Sequence, residues 1–497
     1  MAADRARKTT LDLMDFIHAG PTAAHAVAAA AARLEAAGFA RLDERAPWRL
    51  RPGQGFHLSR GATGLVAGRV GSAPPAEAGF RIIGAHCDSP GLRVKPKSPY
   101  EARGYLQLGV EVYGGPLLAS WADRDLTLAG RLLVRRRGGE PRVALVRVAR
   151  PLCRIPLAAI HFQREVNQEG LKLDAQKHLA PILGLDGGRA PGAGALLELL
   201  AGAAGVRPAD VVGADLELVD AQPPALASLR EELFAAPRID NLAGCHAALE
   251  ALLRAPATAR ATTVIALFDG EEIGSQVPSG ADSFFLDAAL ERLSLAAGPG
   301  REAWHRARAA SWMVSVDGAH ALHPNYAEMH DPHHLPALNG GPVIKVNAKQ
   351  RYATSLLTRG RFEECAARAG SPVQHYVHRS DLPCGSTIGP IAAARLGIPT
   401  VDVGNPMLAM HSIRETGGVL DQEWMIAALV EHLGRGERRS ARRSARPPAA
   451  APRPRSARRP DRRTGASRET PAVRRSGVGR PPSRGRGPSA RGRGPAR

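Results

Sequence analysis

Cysteine is scarce in this sequence: five residues in 497, at positions 87, 153, 245, 365 and 384, with no C-x-x-C pair among them. An odd, scattered set argues against a disulfide framework in a chain of this size and leaves the cysteines as small buried hydrophobes. Aromatic residues make up only 4% of the chain, so Ala, Leu and Val carry much of its 44% apolar content. No stretch reaches the roughly 18 consecutive apolar residues of a membrane-spanning helix. The first 17 residues lack the apolar block and small-residue cleavage site of a secretory signal. They read instead as a short amphipathic helix, and a cytoplasmic location is expected. No internal repeat of fixed period is present.

Charge is what the chain has in excess, +20 overall. It is not spread evenly. Residues 434–497 hold 21 arginines against three acids, a net +18, which leaves the rest of the chain at +2. A nucleic-acid-binding character inferred from bulk charge therefore belongs to the tail, not to the body. The tail is Arg, Pro, Gly, Ala and Ser without apolar periodicity, and it cannot bury enough surface to offset its ordering entropy. It is expected to be disordered and to bind polyanions weakly by counterion release. It contains no aromatic residue, so base stacking has no support.

Ahead of the tail, strand-like and helix-like runs alternate. RIIGA at 81–85, TTVIALF at 262–268, WMVSV at 312–316 and PTVDV at 399–403 are short apolar runs of the kind found in buried strands. Helical periodicity falls at 241–253, 281–293, 388–396 and 422–433. Alternation of this kind predicts an α/β fold, in which functional residues gather just past the carboxyl ends of the strands. The stretch 99–229 differs, with β-like runs at 105–112, 126–134 and 143–148 followed by a Pro/Gly/Ala-rich passage. The chain is thus read as a catalytic domain in two parts, 1–98 and 230–433, around an inserted β-rich domain at 99–229, with the tail at 434–497.

Several acids and histidines sit at those strand ends. His86 closes the first run and Asp88 follows two residues on, on the same face of an extended segment. Asp240 stands at a helix start. Glu271 and Glu272 follow the seven apolar residues of 262–268. Asp317 closes 312–316, and His411 lies in Met410-His411-Ser412. Adjacent acids repel unless a cation neutralises them. Activation of water by a pair of divalent ions requires N/O ligands for each ion, a carboxylate shared by both, and a separate carboxylate to take the proton. These residues supply that inventory. Carboxylate and imidazole ligands suit Zn, with Mn or Co as alternatives.

The same residues fall within stretches that resemble the M18 metallopeptidases, the aspartyl aminopeptidase family. They include GAHCDSPGLRVKP at 84–96, LAAIHFQREVN at 157–167, RIDNLAG at 238–244 and LFDGEEIGSQ at 267–276. Further on come GPVIKVNAKQRYAT at 341–354, LPCGSTIGPI at 382–391 and VDVGNPMLAMHSIRE at 401–415. The resemblance runs from residue 8 to about 433. It implies an α/β sandwich metallopeptidase domain with an inserted dimerisation domain, and two zinc-type ions. Asp240 would bridge the ions, His86 and Asp317 would complete one ligand set, and Glu272 and His411 the other. Glu271 would be the general base, with Asp88 orienting His86. The resemblance further implies dimers assembled into a tetrahedral dodecamer, in which His161 reaches a neighbour's active site. The implied substrate is a peptide with a free N-terminus, commonly Asp or Glu. Lys345 is the first candidate to hold such a side chain, followed by Arg379, Arg351 and His323. Gly270 departs from the family, which often has a larger polar residue before the acid pair.

Two other readings fit the sequence less well. One is a related two-metal hydrolase acting on another amide, such as an N-acyl amino acid. The other is polyanion binding through the tail, with the body as a scaffold. A third metal site among His320, His323, His330, His333 and His334 competes with a simple polar loop bordering the substrate cleft.

Overall fold

The computed structural model describes residues 2–185, 193–298 and 300–434. The expectation for the tail falls, beyond Gly434, outside the described residues.

The body is built on a nine-stranded mixed sheet. Its strands in chain order are β1 (Ala40–Arg41), β2 (Gly55–Arg60), β3 (Gly64–Arg69), β4 (Phe80–His86), β5 (Thr262–Phe268), β6 (Trp312–Val316), β7 (Val343–Val346), β8 (Gln374–Val377) and β9 (Thr400–Gly404). In space they run β1-β2-β3-β5-β4-β6-β9-β7-β8. The four central strands, β5, β4, β6 and β9, are mutually parallel. Parallel strands are covered on both faces, which is why all seven residues of β5 are buried. Phe80 and Ile82 of β4 face one layer of helices, with the side chains of Phe285, Trp304 and Ile388. Ile83 and Ala85 face the other, with Phe16, Leu242, Phe362 and Met425. This alternation makes a three-layer α/β sandwich.

The N-terminal amphipathic reading corresponds to a helix at Ala2–Ala19, and the run at 241–253 to the helix Ile239–Arg254. The helical run expected at 281–293 begins later, at Phe285, because the chain turns just before it: Ser283 N–H donates to the Gly280 carbonyl at 3.1 Å, and the Ser283 hydroxyl accepts from the Phe285 N–H at 3.1 Å. Among the described residues, no helix is long and apolar enough to cross a membrane.

A second sheet has five antiparallel strands in the order Gly139–Arg147, Leu126–Arg136, Val211–Asp220, Gly91–Val94 and Val110–Tyr113. It encloses its own core around Leu92, Trp121, Leu128, Leu132 and Leu218. This sheet takes in residues 91–94, ahead of position 99. The run read as 105–112 is two strands, Tyr105–Gln107 and Val110–Tyr113, which belong to different sheets. Val211–Asp220 was hidden in what reads as a Pro/Gly/Ala-rich passage, yet it is the central strand here.

The close approach of β6 and β9 leaves no room for a side chain at Gly404. A Cβ there would sit 1.9 Å from the Asp317 carbonyl oxygen and 2.9 Å from the Gly318 carbonyl carbon, both backbone atoms. At Gly84 the nearest atom, at 2.3 Å, is the flexible end of Met313. Gly404→Ala should therefore lower the unfolding free energy by about 2–3 kcal/mol, and Gly84→Ala by clearly less, in urea titrations.

Candidate metal centre

The parallel strands bring their carboxyl ends to one edge of the sheet, and β4 and β5 pair in register so that His86 lies opposite Phe268. From those ends project His86, Glu271, Glu272 and Asp317. Gly270, with φ of 74°, is in the left-handed region that glycine adopts freely, and it turns the chain sharply after β5 into the short turn Glu271–Ile273. A Cβ at Gly270 would lie 2.7 Å from a methyl of Val277, so a larger residue here would need that side chain to move.

Asp240 comes from a kink. It and Asn241 have non-helical backbone angles inside the helix Ile239–Arg254, and the peptide between them is cis. Asn241 donates to the Val316 carbonyl at 2.7 Å, which ties this segment to the end of β6. Ser89 donates to the Asp240 carbonyl at 2.6 Å. His411 occupies a left-handed position, φ 66°, in the loop after β9.

The five expected ligands converge. Asp240 Oδ1 lies 3.3 Å from His86 Nε2, which is 3.7 Å from Asp317 Oδ1. Asp240 Oδ2 lies 3.6 Å from His411 Nε2, which is 3.6 Å from Glu272 Oε2. The two oxygens of one carboxylate thus face two separate clusters. In each cluster, His86-Asp240-Asp317 and Asp240-Glu272-His411, the ligating atoms all fall within 4.8 Å of one another. Asp240 Oδ1 and Glu272 Oε1 are buried with no hydrogen-bond partner. Buried carboxylate oxygens without donors are costly, and a bound cation is what satisfies them. Imidazole nitrogens and carboxylate oxygens are also a donor set that zinc accepts.

Electrostatics point the same way. Burial opposes ionisation of the His86 ring, yet Asp240, Asp317 and Asp88 push it well above the usual imidazole range. Burial likewise works against His411, but Asp240 and Glu272 raise it to about 10. Burial, with Asp317 and Asp240 beside it, lifts the Glu271 carboxyl to about 7, and burial and Asp240 also hold Glu272 well above the usual carboxylate range. Four carboxylates confront two imidazoles and the Lys345 ammonium, whose Nζ lies 3.7 Å from Asp317 Oδ2, so the site is short of positive charge.

Surrounding groups fix the ligands. His411 Nδ1 lies 3.0 Å from the Gly115 carbonyl, which leaves Nε2 facing the cluster. His86 Nδ1 is 3.1 Å from the Asp88 carbonyl and 3.4 Å from its carboxylate, so the main chain of Asp88 is its nearer partner. The Asp88 carboxylate does other work. It accepts from the Tyr113 hydroxyl at 2.9 Å and from the backbone N–H groups of Glu271 and Glu272 at 3.2 Å each. Glu415 was missed from sequence. Its buried carboxylate accepts the backbone N–H of Asp240 at 2.9 Å and of His411 at 2.8 Å, joining two ligand segments. An acid four residues after a candidate ligand was the available signal. Tyr113 had none, because its partner Asp88 lies in a different segment.

These residues open onto a cleft of about 400 Å³, lined also by His320, Lys345, Tyr352, Tyr376 and the segment 385–387. Lys345 Nζ is buried and donates to the carbonyls of Asp317 and Gly318 at 3.1 and 3.0 Å. Tyr352, also missed from sequence, places its ring 5.1 Å from that ammonium. Arg379 does not line the cleft; it pairs with Asp381 at 2.7 Å and donates to the Glu328 carbonyl. His323 meets the Tyr326 ring edge-to-face instead, and does not line the cleft. His161 is exposed, in the turn Ile160–Phe162, away from this chain's own cleft. Among the described residues, the histidines of 320–334 form no cluster of metal-ligating atoms. A further trio, Asp12, His246 and Glu250, is already bridged by Arg33, whose Nη1 lies 2.8 Å from Asp12 and 3.5 Å from Glu250.

Comparison with known proteins gives the family and the fold. Residues 16–432 match the family described as Aminopeptidase I zinc metalloprotease (M18). A probable M18 family aminopeptidase 2 of Streptomyces coelicolor is 47% identical over 430 residues, 86% of this chain and 98% of the relative. Its Pseudomonas aeruginosa counterpart is 47% identical over 427 residues, 85% of this chain and 96% of that protein. Among solved structures, the cryo-EM structure of the Ape4 and Nbr1 complex contains a chain that superposes with a TM-score of 0.84 at 37% identity, covering 87% of this chain and 86% of that one. The S. cerevisiae mApe1 dodecamer gives 0.76 at 30% identity, covering 86% and 96%. With residues 16–432 matched by the family and relatives 47% identical over most of its length, the chain belongs to the M18 family of zinc metallo-aminopeptidases.

Proposed function

We propose that the chain is a two-metal aminopeptidase that removes N-terminal residues, Asp and Glu above others, from peptides. The observation that carries this is Asp240, whose two oxygens face separate imidazole–carboxylate pairs. His86 and Asp317 would hold one zinc ion, Glu272 and His411 the other, and Asp240 both. When bound, the ions polarise the scissile carbonyl and make water acidic enough to give up a proton near neutral pH.

The remaining chemistry belongs to the chain. Glu271 lines the cleft and ligates neither ion in this scheme. Its carboxylate takes the proton of the attacking water and returns it to the leaving amine. Its burial suits that task, because a carboxylate held among other acids accepts a proton readily. Lys345, beside Tyr352 in the cleft, offers a fixed cation to an acidic side chain on the substrate.

His161 sits between the exposed Ile160 and Phe162. This apolar turn supports assembly with further copies. In a dodecamer like that of the related yeast structure, His161 of the partner subunit would reach the cleft and donate to the oxygen that becomes negative.

Three outcomes test this reading. Glu271→Gln should lower kcat by about 10³-fold while zinc content, read by elemental analysis, stays at that of the wild type. Asp88→Ala removes the acceptor for Tyr113 and for the two acid-bearing backbone N–H groups. Its zinc affinity should fall about 10- to 100-fold in chelator competition. A panel of aminoacyl anilides should show wild-type preference for Asp and Glu, and Lys345→Met should cut that preference roughly 10- to 100-fold, the worth of one charge-assisted hydrogen bond. Equal cleavage of N-acetylated analogues would replace the aminopeptidase reading with a general amidohydrolase.

A further inference from the structure

Asp402 is the least expected acid in the molecule. It lies in the middle of β9, a central strand, and is fully buried. It ligates nothing in the metal scheme and does not line the cleft. A buried carboxylate carries a large desolvation cost and needs specific compensation.

The compensation comes from two separate segments. Asp402 Oδ2 accepts the backbone N–H of Ala353 at 2.6 Å. Oδ1 accepts the hydroxyl of Thr387 at 2.7 Å. The backbone N–H of Asp402 itself donates to the Thr354 hydroxyl at 3.0 Å. Thr387 is the N-cap of the helix Ile388–Leu396, and its hydroxyl oxygen also accepts from the Gly389 N–H at 3.2 Å. The carboxylate therefore sits against a helix N-terminus, where negative charge is favoured. Space has been made for it, since a Cβ at Gly389 would lie 2.2 Å from Asp402 Oδ2. Burial pushes its carboxyl upward, and Lys345 and these hydrogen bonds oppose that shift.

The two segments so joined are walls of the cleft. One carries Tyr352, immediately before Ala353, and begins after Lys345 on β7. The other contributes Gly385, Ser386 and Thr387. Neither is part of a regular strand where it faces the cleft. A second link, Ser386 to the Arg351 carbonyl at 3.2 Å, is exposed and lies farther out. Asp402 supplies a buried one, beside the contact of Tyr352 with Cys384.

We propose that Asp402 is a positioning residue for substrate: it clamps the Tyr352 segment to the 385–387 segment and so fixes the wall that receives the first side chain of the peptide. This rests on the aminopeptidase reading above. The role is separate from metal binding, because Asp402 contacts none of the five ligands' side chains and its two acceptor bonds go to the walls. Loss of the clamp should widen the cleft and weaken substrate binding, while the metal centre and Glu271 keep their arrangement. A displacement of about 1 Å in a positioning group is enough to cost up to about 10²-fold.

The test is steady-state kinetics on Asp402→Asn, whose amide cannot accept both bonds with the same geometry. KM for glutamyl and leucyl anilides should rise about 10-fold, with kcat per zinc-loaded site within about threefold of wild type. A purely structural acid would instead lower the active fraction and the melting temperature and leave the KM of the surviving enzyme unchanged. An unchanged KM, within twofold, overturns the proposal. If Asp402→Asn does not fold, Thr387→Val and Thr387→Ser decide the matter. The valine variant should raise KM and the serine variant, which keeps the hydroxyl, should restore it; equal KM values in both overturn the clamp. Failure of the wild-type enzyme to cleave any free-amine peptide would refute the aminopeptidase reading itself, a result distinguishable from either of these.

Discussion

The molecule is organised around a concentration of negative charge that it could not tolerate alone. Four carboxylates meet at the ends of parallel strands, two of them with oxygens that no protein donor reaches. Two imidazoles and the Lys345 ammonium stand against them, too little charge to balance the four. The sheet sets this up, because parallel neighbours must deliver their next residues to the same edge. The helix layers, the kink at Asp240 and the left-handed loop at His411 all serve to bring ligands to that edge from distant parts of the chain. A cation-binding centre is what reconciles such crowding with a folded state.

Around this centre the protein spends further buried acids on backbone rather than on metal. Asp88 receives the N–H groups of Glu271 and Glu272, and Glu415 receives those of Asp240 and His411. Each acid therefore couples the main chain of one ligand segment to another. Asp402 repeats the device on the substrate side, where it joins two walls of the cleft. The ligands are held less by their own rotamers than by acids that immobilise the peptide units bearing them.

The central strands were legible because burial on both faces writes them as uninterrupted apolar runs. TTVIALF and WMVSV match β5 and β6 residue for residue. The convergence of the five proposed ligands was legible because each ends such a run or sits in a stretch that resembles the family. Other parts carried no such signal. Val211–Asp220 opens on four largely open residues, VVGA, and alternates acid with leucine only over 215–218, so it passed for loop. Arg379 looked like a free cation in sequence, but Asp381, two residues on, neutralises it. Asp88 was read as the partner of His86 from side-chain spacing, whereas its nearest contact to that ring is through the main chain. Tyr113, Tyr352 and Glu415 owe their roles to contacts across long chain separations, which periodicity does not encode.

One ligand belongs as much to the inserted sheet as to the main one. The His411 ring rests on the Gly115 carbonyl, the His411 carbonyl accepts the Leu117 N–H at 2.8 Å, and Ile413 donates to Ser120 at 3.0 Å. Arg414 reaches Asp220 of the same sheet at 3.2 Å. The second sheet and the loop at 115–120 thus brace one of the residues proposed to hold zinc. With His411 as a zinc ligand, as proposed, linkage requires that whatever binds this sheet's outer surface and shifts it by a fraction of an ångström alter zinc affinity, and that zinc alter that binding in equal measure. Quaternary contact and metal occupancy are in this sense two readings of a single equilibrium.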